Sequence, residues 1–344
     1  MTQPYLMDLE PSNPPKPLRA VVMAAGQGTR MRSALPKVLH PLLGRPMVGW
    51  VLEAARDAGC EEATVIVGHG REAVEAYVRG AFPPSPSFTV RFAHQAQQLG
   101  TAHAVQQALP SLEGFTGRVL ILNGDLPCLP TALLRGLCAV DDEAPKALSV
   151  ISAVVEEPQG YGRVTRDEAG APQAIVEHKD CDAAQRQIRE VNTGIYLADA
   201  KFLTESLARV ENRNAQAEFY LTDLLAMAAQ GGSARAHIAP DPTPLLGVND
   251  RAQLAVAQRW LQRQVNGDWM RRGVTFLLPN TALVEYAVRL GEDVTVGPGV
   301  HLMGCTRVGD GAVIGAHVVL EDADIRAGEV VQAGQCIRGA RPLA

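Results

Sequence analysis

Residues 23–39 read MAAGQGTRMRSALPKVL, in which small residues, glycines and cations suit contact with phosphate. Ala24, Ala25, Gly26 and Gly28 let the backbone approach a ligand closely, while Arg30, Arg32 and Lys37 set positive charge beside it. Polyphosphate is the ligand that fits such a loop. A dinucleotide fingerprint is excluded: Met31 stands where its third glycine would be, and the next apolar run ends in Gly68 and His69 rather than an acid. The P-loop pattern fails as well, because no glycine-lysine-serine or threonine closes the stretch. A plain structural turn is the competing reading of any glycine-rich loop. A second segment, LILNGDLP, puts Asp125 at the end of an apolar run, where a carboxylate is well placed to hold Mg²⁺ together with phosphate oxygens and water. The competing role for Asp125 is to cap a turn before Pro127.

The elements that must carry these residues alternate. RAVVMAA, ATVIVG, FTVRF and RVLIL read as buried strands, and between them Pro46 to Ala58, Arg71 to Arg79 and Gly100 to Leu109 read as helices. Strands separated by helices of about ten to fifteen residues imply βαβ units and a mostly parallel sheet, with ligands beyond the carboxyl ends of its strands. From 145 to 240 the reading is more mixed: strands at ALSVISAVV, QAIVEH, NTGIYLA and ARAHIA, helices at Ala200 to Arg209 and Tyr220 to Gln230. Asp250 to Arg271 reads as one long helix. Beyond it the period changes to six: Leu290, Val296, Leu302, Val308, Ile314 and Leu320, then, after a one-residue slip, Ile325, Val331 and Ile337. Glycine follows four of them directly, and this period marks a hexapeptide parallel β-helix, here of fewer than three coils. An irregular antiparallel domain is the alternative.

Composition sets the outer bounds. At 344 residues, 47% hydrophobic and 20% charged, the chain has the make-up of a two-domain globular protein. Its net charge of −5 disfavours a general nucleic-acid or anionic-membrane binder, so any phosphate site is local. Six cysteines without CxxC spacing read as buried thiols in a reducing compartment. The proline-rich acidic start lacks a signal-peptide pattern and no apolar run is long enough to span a bilayer, which together point to the cytoplasm, with a disordered leader over residues 1–17.

Taken together the motifs resemble a known family. LRAVVMAAGQGTRMRSALPKVLHPLLGRPM, HQAQQLGTAHAVQQA, LNGDLP, GYGRV, IVEHKD, EVNTGIY, NAQAEFYLTDLL and GVNDRAQLA occur in the order seen in N-acetylglucosamine-1-phosphate uridylyltransferases, the N-terminal half of a bifunctional bacterial enzyme. The resemblance implies an α/β, Rossmann-like nucleotidyltransferase domain over residues 18–248, a connecting helix over 249–272 and a short left-handed parallel β-helix over 273–344. It implies transfer of UMP from UTP to N-acetylglucosamine-1-phosphate, giving pyrophosphate and UDP-N-acetylglucosamine, a peptidoglycan precursor. By its pattern Arg30 and Lys37 are catalytic, holding the UTP phosphates, while Asp125 and Asn249 bind Mg²⁺. Gln95 reads uracil with Ala24, Ala25, Gly26, Gly28, Gly100 and Thr101 around the nucleotide, and Gly162, Glu177, Asn192 and Asn249 hold the sugar. For Asn249 a helix N-cap is the competing role, one that Asp250 fills equally well.

The family's second activity, acetylation of glucosamine-1-phosphate, uses later β-helix coils with arginine-proline-glycine and asparagine-tyrosine-aspartate-glycine motifs, and nothing here resembles them. The expectation is uridylyl transfer alone, in a homotrimer packed through the β-helix. His40, His103 and His178 are assigned to packing or loop hydrogen bonds. Two other readings stay open: a related nucleotidyltransferase for another sugar-1-phosphate, and a non-catalytic regulatory protein that binds a sugar nucleotide.

Overall fold

The computed structural model describes residues 16–339, so the expected leader lies outside the described residues up to residue 15. The chain separates into two units, one running to His40 and again from Met47 to Asn249, the other made of Pro41–Pro46 and the chain from Asp250 onward.

In the first unit β1 (Leu18–Met23) is followed by a hairpin that belongs to the other unit, β2 (Pro41–Leu42) and β3 (Arg45–Pro46), and then by α1 (Met47–Asp57). Next come β4 (Glu62–Val67), α2 (Arg71–Ala81), β5 (Thr89–His94), α3 (Thr101–Gln106), β6 (Arg118–Asn123) and α4 (Thr131–Glu143). The unit closes with β7 (Leu148–Val154), β8 (Arg163–Arg166), β9 (Pro172–Val176), β10 (Glu190–Asp199), α5 (Ala200–Leu207), α6 (Asp223–Gln230) and β11 (Ala234–Ala239). Nine strands form one sheet whose main path is β11-β7-β10-β6-β1-β4-β5, with β8 pairing β10 and β9 beside it. The strands β6, β1, β4 and β5 run parallel, whereas β10 is antiparallel to both β6 and β7.

Parallel strands covered on both faces must be apolar throughout, and β1 and β4 are buried almost end to end. Because side chains alternate, Val22, Val65 and Leu122 pack with α1, α2 and α4 on one face, and Val21, Ile66 and Ile121 pack with α3, α5 and α6 on the other. Helix α4 and strand β8 have no counterpart in the sequence reading. Leu133, Leu134 and Leu137 of α4 are buried in the core. The carboxyl ends of β1, β4 and β6 meet through near-touching backbones: a Cβ at Gly68 would lie 2.9 Å from Ala25, and one at Gly124 3.0 Å from the Met23 carbonyl oxygen.

The second unit starts with α7 (Arg251–Arg271), capped by Asp250, whose carboxylate accepts from the Gln253 N–H at 2.8 Å. Buried Asn266 donates to the carbonyls of Pro279 and Ala282 at 2.8 and 2.9 Å, and Val265 and Trp269 pack on the β-helix interior. That interior is built from three parallel ladders. The first stacks β12 (Thr275–Phe276), β15 (Thr295–Val296), β18 (Val313–Ile314) and β21 (Val330–Val331). The second stacks β13 (Leu283–Val284), β16 (His301–Met303), β19 (Val319–Glu321) and β22 (Cys336–Arg338), and the third β14 (Arg289–Leu290), β17 (Arg307–Val308) and β20 (Asp324–Ile325). Ladders of four, four and three strands correct the expectation of fewer than three coils. The first coil escapes the six-residue period because Phe276 and Val284 stand eight apart, a single-turn 3-10 helix at Pro279–Thr281 taking up the excess. The hairpin β2–β3 joins this unit through the Leu43 carbonyl, which accepts from Tyr286 N–H at 3.0 Å, and through the Arg45 guanidinium, 3.9 Å from the Tyr286 ring centre.

The cysteines need a second correction. Cys60, Cys128 and Cys181 are buried and burial pushes the Cys128 thiol up to about 12, but Cys305 and Cys336 are exposed. Cys336 directly precedes the inward Ile337, so the two-residue alternation of a strand turns it outward. Among the described residues no helix is long and apolar enough to cross a membrane.

Candidate active site

The loop after β1 is shaped by Gly28, which sits at φ +61°, where a Cβ would strike the Cβ of Lys37. Met31, 1% exposed, pins the intervening single-turn helix Thr29–Met31, and Val38 and Leu39 bury the helix that Lys37 opens. With the backbone fixed at both ends, Arg30 and Lys37 turn toward one point. Arg30 Nη2 donates to Asn249 Oδ1 at 2.9 Å, and Lys37 Nζ donates to the same oxygen at 3.2 Å and to Asp125 Oδ2. Asn249 is brought there by the extended stretch before α7: Val248 N–H donates to the Asp125 carbonyl at 3.0 Å, and Asn249 Nδ2 to the Gly247 carbonyl at 3.2 Å. Since Asp250 caps the helix, the Asn249 side chain is turned to the two cations instead.

Beside this point opens a cavity of about 220 Å³, lined by Asp125, Gly162, Glu177, Asn192 and Asn249 together with Asn123, Tyr161, Thr193, Tyr196 and Thr222. Its far wall is already hydrogen-bonded. Asn192 Nδ2 donates to the Tyr196 hydroxyl at 2.7 Å, its Oδ1 accepts from Gly194 N–H at 3.0 Å, and its own N–H donates to the Gly162 carbonyl at 2.9 Å. Thr222 donates to Glu177 Oε1 at 3.2 Å, while burial pushes the Glu177 carboxyl above the usual carboxylate range. Tyr161 is likewise raised, by burial first and then by the negative charge of Asp125. Arg163, 1% exposed, donates to the Tyr161 carbonyl and so fixes the loop that carries Gly162.

The residues expected around a base form a neighbouring group. Buried Gln95 donates through Nε2 to the Gly100 carbonyl at 3.1 Å, with His103 Nδ1 3.2 Å away. Thr101 Oγ1 accepts from Leu221 N–H at 2.9 Å, and Gln98 Nε2 donates to the Ala25 carbonyl at 2.9 Å. Of this group only Thr101 lines the cavity. Gln98, Asn123, Tyr161, Arg163, Tyr196 and Thr222 are absent from the sequence-derived set. Several of their contacts link residues far apart in the chain, as Gln98 to Ala25 and Thr222 to Glu177, and no local pattern announces them.

Among the described residues no group of three or more His, Cys, Asp or Glu side chains converges. A protein-enclosed metal is therefore a poor fit, but a hard cation that keeps waters and borrows phosphate oxygens needs only one or two protein donors. Asp125 and Asn249 supply that pair, and both already point an oxygen at one positive centre, the Lys37 ammonium. A larger cavity of about 330 Å³ lies at the amino ends of β1 and β6, near Arg118, Arg135 and Cys138. Its charges are answered within the chain, Lys16 by Asp142 at 3.9 Å and Arg118 by Asp141, and no glycine-rich loop borders it.

Comparison with known proteins finds relatives over most of the chain. The MobA-like NTP transferase domain family matches residues 20–217, and the bacterial transferase hexapeptide family, six repeats, matches 287–322. The bifunctional protein GlmU of Geobacter metallireducens is 45% identical over 309 residues, covering 90% of this chain and 64% of that protein. GlmU of Pelobacter propionicus is 44% identical over 326 residues, 90% of this chain and 70% of its own, and GlmU of Brevibacillus brevis 41% over 315 residues, 91% and 67%. The chain thus spans roughly two thirds of the length of these relatives. With an NTP-transferase domain and a hexapeptide β-helix in the same order along the chain, this protein belongs to the GlmU family and carries its nucleotidyltransferase domain.

Proposed function

We propose that this chain transfers UMP from UTP to N-acetylglucosamine-1-phosphate, releasing pyrophosphate and forming UDP-N-acetylglucosamine. The observation that carries the reading is the convergence of Arg30, Lys37, Asp125 and Asn249 at one end of a cavity whose other end holds Gly162, Glu177 and Asn192. In such a reaction an oxygen of the sugar phosphate attacks the α-phosphorus while the bond to the departing pyrophosphate breaks. Alignment and charge neutralisation do most of the work, and no protein nucleophile is required. Arg30 and Lys37 would take up negative charge on the phosphates, with Arg30 toward the departing pyrophosphate. Mg²⁺, held by Asp125 and Asn249, would add charge neutralisation between phosphate oxygens.

The prepaired wall suits a sugar. Glu177 accepts from hydroxyl groups, and Asn192, fixed by Tyr196 and Gly194, offers a rigid amide edge beside the Gly162 backbone. Uracil would lie against Gln95, Ala24, Ala25, Gly100 and Thr101, with Gly26 and Gly28 letting the phosphates pass close to the backbone.

A homotrimer is part of the same proposal. The outward column Thr275, Thr295, Val313 and Val330 carries no charge, whereas the second ladder shows the Glu321–Arg338 ion pair and the third Arg289, Arg307 and Asp324. One uncharged face per prism supports closed cyclic packing. Acetyl transfer to glucosamine-1-phosphate lies outside the proposed activity. Pyrophosphate release from UTP and Mg²⁺ with a panel of sugar-1-phosphates tests the chemistry: the N-acetylglucosamine substrate should lead. Equal rates with glucose-1-phosphate would overturn the sugar assignment, and thiol release from acetyl-CoA dependent on glucosamine-1-phosphate would overturn the restriction to one activity.

A further inference from the structure

We propose that Lys37 occupies the divalent-cation seat of the nucleotide-free chain, so that metal binds weakly until a polyphosphate draws the ammonium away. The inference rests on the reading of Asp125 and Asn249 as the metal ligands. Lys37 Nζ donates to Asp125 Oδ2 and, at 3.2 Å, to Asn249 Oδ1, the two oxygens offered to the metal. The pair is largely withdrawn from water, its side chains 14% and 17% exposed, which limits screening of the charge between them. Arg30 reaches the same Asn249 oxygen at 2.9 Å, so a second cation already crowds the seat.

A dication entering here meets an ammonium already seated on Asp125. Among the described residues no cluster of three or more His, Cys, Asp or Glu side chains is present to hold the metal against it. Lys37 cannot withdraw as a whole, since its stem is held against Gly28 and its helix is anchored by Val38 and Leu39, but the end of its four-carbon chain can turn. A polyphosphate supplies what both cations lack: oxygens that accept from the ammonium and oxygens that complete the metal's shell. Metal and nucleotide therefore bind with positive coupling, and the coupling is reciprocal. The lysine serves as a placeholder that keeps Asp125 neutralised and oriented until a polyphosphate arrives.

The test uses Mn²⁺ alone as the probe, followed by the loss of its free-ion electron paramagnetic resonance signal on titration with the whole chain and no nucleotide. Removing the ammonium by Lys37→Gln should tighten Mn²⁺ binding by about tenfold or more, and Lys37→Met should do the same. The double variant Lys37→Gln with Asp125→Asn should lose the gain. Equal affinity in the wild type and both single variants would overturn the proposal, as would a gain that survives in the double variant. No turnover enters the readout. A chain that prefers another sugar would still show the tenfold change, and a chain that makes UDP-N-acetylglucosamine but binds Mn²⁺ equally in all forms would sink this inference alone.

Discussion

The two ends of the cavity are built on opposite terms. At the Asp125 end, charged groups answer one another: Lys37 on Asp125, and both Lys37 and Arg30 on Asn249. At the Glu177 end the groups are held by the fold itself, Asn192 between Tyr196 and Gly194, Gly162 against Asn192, Glu177 under Thr222. Any ligand of the first end must break contacts before it makes its own, so binding there is an exchange of ionic partners. A ligand of the second end meets dipoles already aimed, and little reorganisation is needed. The first arrangement suits groups whose charge changes during a reaction, and the second suits recognition of a neutral ring.

The largest effect should come from breaking the exchange. Asp125→Ala removes both the partner of Lys37 and a metal ligand, and kcat should fall by roughly 10³-fold, with a comparable loss for the wild type in excess chelator. Arg30→Ala should follow with a fall in kcat of about 10²-fold, since its charge counts most when pyrophosphate departs. Steady-state kinetics on both variants checks the pair. Near-normal kcat in either would mean that the ionic end is structural.

At the preorganised end the signature should differ. Asn192→Ala leaves the Tyr196 hydroxyl and the Gly194 N–H without their partner, and should raise KM for the sugar-1-phosphate by about tenfold with a smaller change in kcat. A loss confined to kcat would erase the contrast between the two ends. For the base group, Gln95→Ala should narrow the preference for UTP over CTP by about tenfold, measured as a ratio of kcat/KM values. An unchanged ratio would move base recognition elsewhere.

Legibility in the sequence follows the same division. At the ionic end the loop is legible from residue types, its two glycines and the cations Arg30 and Lys37 lying within 17 positions, and Asp125 stands out at the end of an apolar run, but Asn249, more than 200 residues away from the loop, comes forward only through the family resemblance. The Glu177 end joins residues 162, 177, 192 and 222 from separate elements, and only the family resemblance brings the first three forward. Thr222 and Arg163 stay hidden because their partners lie far off or in a loop carbonyl rather than in a pattern. The fold shows the same limit. Strands β1, β4 and β6 are continuous apolar runs and read directly, whereas α4 follows a proline-rich turn that breaks the alternation, and β12 escapes because eight residues, not six, separate Phe276 from Val284.

The smallest expected effect concerns the pairing of Glu177 and probes whether the prepaired wall costs stability. Burial is the main cause holding this carboxyl above its ordinary range, with Asp180, Asp223 and Glu218 adding negative charge and the Thr222 hydroxyl working against them. Between the ordinary glutamate range and its raised value, the folded chain keeps a proton that the unfolded chain has lost. Stability from this group is therefore complete at low pH, declines as pH rises through that window, and levels off above the folded pKa. Glu177→Gln cannot titrate, so the wild type should lose ground to it as pH rises through and above the ordinary glutamate range, measured as the difference in unfolding free energy from urea titrations. Thr222→Val should steepen the loss, because it removes the one hydrogen bond that favours the charged form and costs about 1 kcal/mol on its own. A difference that stays flat with pH would show that the carboxylate is as comfortable in the fold as in water, and that the Glu177 end is not held dry for a sugar.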